Sequence, residues 1–270
     1  EDKPILQSLR IVKFLDNTEV SKKLSLEGIG FSLYSYMEFT KLYPDIIDTQ
    51  SGDIDFSKIT DDMWEKADAS ARIIIGENGE QELYTDEFGA LTTVPLYVGK
   101  YILRETTYPE NIAYPIQDVI DIAVYDKNNN VPDIYTYYAY NKPVAAKLRV
   151  NKIDGSTKEH IKDNSAIFKL YDITNKKYIS LSYTTPSGIE HIDEFPTNSE
   201  GYVMMYQNIP YGTYQLEEIK APSTYSVGTP VKFTVKRTGV EYYNNSSKSW
   251  EKAKDYMDLN DNHIYDIDYI

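Results

Sequence analysis

Three groups far apart in the chain could do covalent chemistry together: the amine of Lys13, the acid of Glu105 and the carboxamide of Asn141. Lys13 lies in Leu9-Arg10-Ile11-Val12-Lys13-Phe14, and Glu105 ends Gly99-Lys100-Tyr101-Ile102-Leu103-Arg104-Glu105. In a β-strand, side chains two positions apart share a face. Lys13 is therefore in phase with Leu9 and Ile11, Glu105 with Tyr101 and Leu103, and Asn141 with Tyr135, Tyr137 and Ala139. All three polar groups are expected on the core side, where a charge without a partner is costly. A low-dielectric interior lowers the pKa of an amine and raises that of a carboxylic acid. A neutral amine is a nucleophile, and a protonated acid can polarise an amide carbonyl and shuttle protons. Attack of Lys13 on the side-chain carbonyl of Asn141 would leave an isopeptide bond and expel ammonia, with Glu105 as catalyst of a single turnover. A buried Lys–Glu ion pair without a covalent bond is the alternative.

The elements that must position these groups occur twice. Leu9 to Phe14 reappears as Leu148-Arg149-Val150-Asn151-Lys152-Ile153, and Phe31-Ser32-Leu33-Tyr34 as Phe168-Lys169-Leu170-Tyr171. Gly99 to Glu105 reappears as Gly212-Thr213-Tyr214-Gln215-Leu216-Glu217-Glu218, and Pro109 and Pro222 each follow four residues after the last glutamate, giving GxYxLxExxxP. Three segments in the same order mark a duplication. Lys152 and Glu218 are the second-copy equivalents of Lys13 and Glu105. Val231, Phe233 and Val235 alternate with polar residues, as do Ile120, Ile122 and Val124, while Gly76 to Gly79, Asn128 to Asn130 and Pro186 to Gly188 read as turns. The expected fold is all-β: two tandem Ig-like β-sandwich domains with short helical insertions. The boundary is placed near Asn141-Lys142-Pro143-Val144, giving domains 1–143 and 144–270. The first carries an insertion at about residues 35–88. Within it, Thr60 to Ala71 is expected to form a helix capped by Asp62 and Glu65 and carrying Met63 and Trp64; Ser247 to Met257 is a second helical candidate.

Composition narrows the function. The 270 residues include 28 basic and 42 acidic side chains, a formal charge of −14 that disfavours nucleic acid as a partner. Cysteine is absent and histidine occurs three times, which leaves little for thiolate, Ser–His or multi-histidine metal chemistry. No metal site and no cofactor are implied. No apolar run approaches a membrane span and no targeting segment is visible, so the chain is expected to be a soluble mature protein or an excised fragment, with no membrane insertion. Neither GxSxG nor HExxH occurs, Gly28-Ile29-Gly30 lacks the third glycine of a dinucleotide loop, and His191-Ile192-Asp193-Glu194 reads as a solvated turn. Asp126 to Asn130 and Asp258 to Asn262 resemble the opening of a calcium loop but lack its later glycine and glutamate, so both read as turns.

The Lys…Glu…Asn arrangement, the two GxYxLxExxxP segments and the closing Tyr140-Asn141-Lys142-Pro143 resemble the CnaB (collagen-adhesin B-type, prealbumin-like) domains of Gram-positive surface proteins and pilins. The resemblance extends over nearly the whole chain as two copies. It implies a cross-link between Lys13 and Asn141 with Glu105 as the acid, and a second copy holding Lys152 and Glu218. Aligning Ile134-Tyr135 on Ile264-Tyr265 puts the second asparagine one position beyond Ile270, so the closing strand reads as truncated and Lys152 as not cross-linked. Asp266 and Asp268 are then expected to face away from the core, and Asn260 and Asn262 to lie upstream of the strand. The resemblance also implies a non-enzymatic pilus subunit or adhesin stalk segment, extracellular at the bacterial surface and wall-anchored or pilus-associated. Its partners would be other pilus or surface subunits, with host extracellular protein or glycan bound through the tyrosines or the insertion as the second reading. Tyr43-Pro44-Asp45 and Tyr108-Pro109-Glu110 lack the lysine of a sortase-used YPK motif, and no LPXTG-like signal appears, which favours a minor pilin or adhesin segment over a shaft subunit.

Overall fold

The computed structural model describes residues 5–15, 26–122, 134–259 and 262–270, and every count refers to these residues. The chain divides into two compact units between Lys142 and Pro143.

The first module contains β1 (Leu6–Leu15), β2 (Gly30–Ser35), α1 (Tyr36–Leu42), α2 (Asp61–Ser70), β3 (Leu83–Tyr84), β4 (Ala90–Tyr97), β5 (Gly99–Thr107), β6 (Gln117–Ile122) and β7 (Ile134–Asn141). These form a three-stranded sheet ordered β4-β1-β7 and a four-stranded sheet ordered β3-β2-β5-β6. Strand β1 runs antiparallel to β4 and parallel to β7, in register from Ser8↔Ile134 to Leu15↔Asn141. The alternation of β1 places Leu9, Ile11 and Lys13 inside, where they join Phe31, Leu33, Leu103, Ile120, Ile122 and Ala139 around one core. Burying each large apolar side chain contributes about 1.5–3 kcal/mol relative to exposure. On the outer face of the same sheet, Phe14 stacks on Tyr140 and touches Tyr138, all three exposed.

The insertion builds a core of its own. Tyr34 and Ile102 alternate with Leu33 and Leu103, so they point to the other face of the β2–β5 pair, and Phe39, Trp64 and Ala67 cover them there. Trp64 is buried against Tyr34 and Phe39, with the Arg104 guanidinium 4.6 Å over its ring. The N-cap of α2 is Thr60, whose hydroxyl accepts from Met63 N; Asp62 lies in the first turn, where its charge suits the helix dipole, and neither it nor Glu65 is the cap.

The second module contains β8 (Ala145–Lys152), β9 (Ile167–Asp172), β10 (Lys177–Tyr178), β11 (Leu181–Thr185), β12 (Gly188–Ile192), β13 (Phe195–Pro196), β14 (Tyr202–Met204), β15 (Ile209–Pro210), β16 (Gly212–Lys220), β17 (Val231–Lys236), β18 (Gly239–Asn244), β19 (Ser249–Lys252), β20 (Lys254–Met257) and β21 (His263–Tyr269). One sheet runs β14-β8-β21-β20 with β15 also on β8; the other runs β10-β9-β16-β17-β18-β19 with β13 also on β9; β11 and β12 form a hairpin. Here too the first strand lies parallel to the last, from Ile264↔Lys147 to Tyr269↔Lys152.

One further expectation is corrected. Ser247 to Met257 is not a helix: β19 and β20 occupy it, β19 pairing with β18 and β20 with β21. Lys, Glu and Ala favour helix locally, but edge positions on two sheets outweigh that weak preference. Asp266 lies on the strand face away from the core yet is buried there, and its carboxylate takes both Nε (2.8 Å) and Nη2 (2.6 Å) of Arg149. Tyr202 and Tyr256 lie over the same guanidinium. Asp268 is exposed.

Candidate functional site

Lys13, Glu105 and Asn141 come together at one end of the first module's core. Strand β1 delivers the lysine, β5 the acid and β7 the carboxamide. Lys13 Nζ lies 2.9 Å from Glu105 Oε1 with both side chains fully buried. Asn141 Nδ2 donates to Glu105 Oε2 at 3.0 Å and to the Tyr114 carbonyl at 2.7 Å. A carbonyl can only accept, so Tyr114 settles which end of the amide is nitrogen. One carboxylate thus holds the amine on one oxygen and the amide nitrogen on the other. Asn141 Oδ1 has no donor among the described residues. The acid therefore contacts the nitrogen that would leave, and not the carbonyl oxygen that the sequence reading has it polarise.

Burial pulls the Lys13 amine below the ordinary lysine range, against the raising effect of the adjacent Glu105 charge and hydrogen bond. Phe31 lies beside it, its ring centroid 5.5 Å from Nζ.

The second module repeats most of this. Lys152 Nζ lies 3.2 Å from Glu218 Oε2, their side chains 4% and 0% exposed. The closing strand differs. The residue opposite Lys13 is Ala139, whereas the residue opposite Lys152 is Tyr269. The Tyr269 ring centroid is 5.1 Å from Lys152 Nζ, and its hydroxyl accepts from Glu218 N and donates to the Gly228 carbonyl. Asn262 donates to Asp258 in the turn before β21, far along the strand from Lys152, while Asn260 lies outside the described residues.

Backbone groups complete both sites and have no signature in residue type. Glu105 Oε2 accepts from Ile116 N at 2.7 Å, and Glu218 Oε2 from Gly228 N at 2.7 Å. In each copy the chain passes the proline of GxYxLxExxxP and returns an N–H to the motif's own glutamate. The lysines are anchored alike: Lys13 N donates to Gly89 O and Lys152 N to Gly201 O, both at 2.8 Å. Gly201 has φ +80°, and a Cβ there would sit 2.0 Å from the Ile161 carbonyl oxygen, so glycine is required.

Other candidates do not assemble. His191 is exposed on β12 with Nδ1 2.9 Å from Ser182 Oγ. Among the described residues no group of three His, Asp or Glu is placed to hold a metal ion. Asp126 to Asn130, with Val124, lie outside the described residues. No helix is long and apolar enough to cross a membrane, among the described residues.

Residues 146–248 match the family model of the SpaA prealbumin-like fold domain. Among solved structures, the chain is similar to the Bacillus anthracis TIE protein (17% identity, 97% of this chain and 33% of that one, TM-score 0.48). It is also similar to the SpaE basal pilin from Lactobacillus rhamnosus GG (18% identity, 98% and 92% coverage, TM-score 0.38) and to GBS52, the minor pilin of Streptococcus agalactiae (18%, 97% and 95%, TM-score 0.30). The chain thus spans about a third of the length of the TIE protein. No curated protein matches the sequence.

Proposed function

Since the chain carries a prealbumin-like domain of the SpaA type, we propose that it is a structural segment of a Gram-positive surface assembly, a pilus subunit or adhesin stalk, stabilised by a self-made bond between Lys13 and Asn141. The observation that carries this reading is one buried carboxylate gripping both the amine and the carboxamide nitrogen. As Nζ attacks Cγ of Asn141, Glu105 Oε1 takes a proton from the amine. The carboxyl then turns to pass that same proton to Nδ2, the Cγ–Nδ2 bond breaks, and ammonia leaves. Desolvation favours the neutral amine that this needs. The acid is regenerated, but its substrate is consumed, so the site turns over once.

The product would suit a stalk. Tension arriving along β1 reaches Lys13, crosses one covalent bond to Asn141 and leaves through Lys142, so residues 14–140 carry none of it. A chain without cysteine has no disulfide for this task. In the second module, Lys152 and Glu218 form an ion pair, and no cross-link forms there within these residues.

Intact mass tests the proposal. The wild-type chain should weigh one ammonia less than its sequence, and Lys13→Ala should show the full sequence mass. An unmodified wild-type mass removes the cross-link; the loss of two ammonia molecules would show that Lys152 also reacts.

A further inference from the structure

The second module carries a row of side chains across three neighbouring strands that its core does not use. Tyr243 of β18 lies opposite Trp250 of β19, and the β17–β18 register that pairs Phe233 with Tyr242 sets Lys232 beside Tyr243. Tyr243 and Trp250 meet edge to face at 5.9 Å. Together with Pro230 and Asn245, these three line a depression of about 310 Å³. Trp250 is 48% exposed, so much of its indole is left to water.

The polar rim is specific. Asn245 Nδ2 donates to the carbonyls of Thr229 (3.4 Å) and Pro230 (3.2 Å), which turns the amide oxygen away from them as a free acceptor. Nearby charges are otherwise engaged. Lys236 is paired with Glu241 at 2.6 Å, and the Glu251 carboxylate is held by Asn244 and Ser247. Glu251 pairs with Tyr242 and therefore points to the opposite face from Trp250. Lys232 has no carboxylate within ion-pair distance among the described residues, in a chain of net charge −14.

We propose that this depression binds a carboxylate-bearing sugar residue of a glycan. A pyranose ring is apolar on its face and hydroxylated at its edge, matching an indole floor with an amide and an ammonium at the rim. The ring lies on Trp250, a hydroxyl donates to Asn245 Oδ1, and the carboxylate meets the Lys232 ammonium. The volume is at the small end for ligand pockets, which suits one ring better than a peptide segment. The unpaired cation selects an acidic sugar over a neutral one. The site is independent of the Lys13–Asn141 bond: mass reports one and binding the other.

The test is titration of the whole chain with the α-methyl glycoside of N-acetylneuraminic acid, with methyl galactoside as the neutral control and poly-glutamate as the acidic peptide control. Tryptophan fluorescence reads the site, since the other tryptophan, Trp64, is buried. The acidic sugar should bind saturably. Trp250→Ala should weaken it by about tenfold or more, and Lys232→Gln should reduce the preference over the neutral sugar by about tenfold, measured by calorimetry and with unchanged melting temperatures. No saturable binding, equal affinity for the neutral sugar, tighter binding of poly-glutamate, or an unaffected Trp250→Ala would each overturn the assignment.

Discussion

Replacing Glu105 by Gln is the sharpest test of the chemistry, because it keeps both reacting side chains and changes little volume. The substituted amide can still accept from Ile116 N through its carbonyl oxygen, but it cannot take a proton from Lys13 and pass one to Asn141. The variant should therefore have the full sequence mass. Without the bond, the loop from Lys13 to Asn141, 129 residues counted inclusively, is open in the unfolded chain. Closing a loop of that length is worth about 5 kcal/mol on the chain-entropy estimate. At about 3–5 °C per kcal/mol for a module of this size, the first module's melting temperature should fall by about 15–25 °C. Glu105→Gln also leaves the buried Lys13 amine without its carboxylate partner, a further cost of about 1–3 kcal/mol. Lys13→Met also removes the bond but leaves the buried Glu105 carboxyl without its amine, so the loop contribution is what the two variants lose in common. Intact mass and calorimetry of the three proteins decide the matter. If Glu105→Gln still sheds ammonia, the carboxylate is not the catalyst; if Lys13→Met melts within a few degrees of wild type, the loop argument fails.

Two further outcomes follow from the surrounding structure. Burial, assisted by the hydrogen bond to Asp68, pushes the Tyr34 hydroxyl up to about 12, and burial likewise pushes Tyr269 up to about 12, against the lowering hydrogen bond from Glu218 N. A raised folded-state value means the contribution is present below the ordinary value of 10 and lost as pH rises through about 12, so stability should decline across that window. Urea melts from pH 9 to about 12 should show a shallower decline for Tyr34→Phe, and an unchanged slope would contradict the assignment. Arg149→Lys cannot make the two-pronged bond to Asp266 or cover Tyr202 and Tyr256 as a plane; it should lower stability by about 1–3 kcal/mol, read by chemical denaturation.

The site's side chains are legible in the sequence because a strand's period of two reveals a polar residue in an apolar phase. Lys13 and Lys152 share their phase with Leu9 and Leu148, and all four are buried. The rest of the site is not legible. Ile116 N, Gly228 N and the Tyr114 carbonyl are main-chain groups, and residue type says nothing of where a loop returns. Phase also assigns a face without saying what lies on it. It puts Asp266 on the outer face of its strand, yet Arg149 and two tyrosines roof that face. Sequence alone does not place Trp64 as exposed or buried, since its partners, Tyr34 and Phe39, belong to a core added by the insertion. At residues 247–257, helix-favouring composition conceals two edge strands that owe their form to their neighbours in the two sheets.

In both modules the first and last strands are parallel neighbours, eight residue pairs long in one and six in the other. The chain enters at the start of the first strand and leaves from the end of the last, so opposed pulls slide the two strands along each other in shear. Their ladder must then yield many hydrogen bonds at once and not peel one by one. Resistance to force is thus partly a matter of strand order, present from the moment the sandwich folds, before any bond between side chains exists.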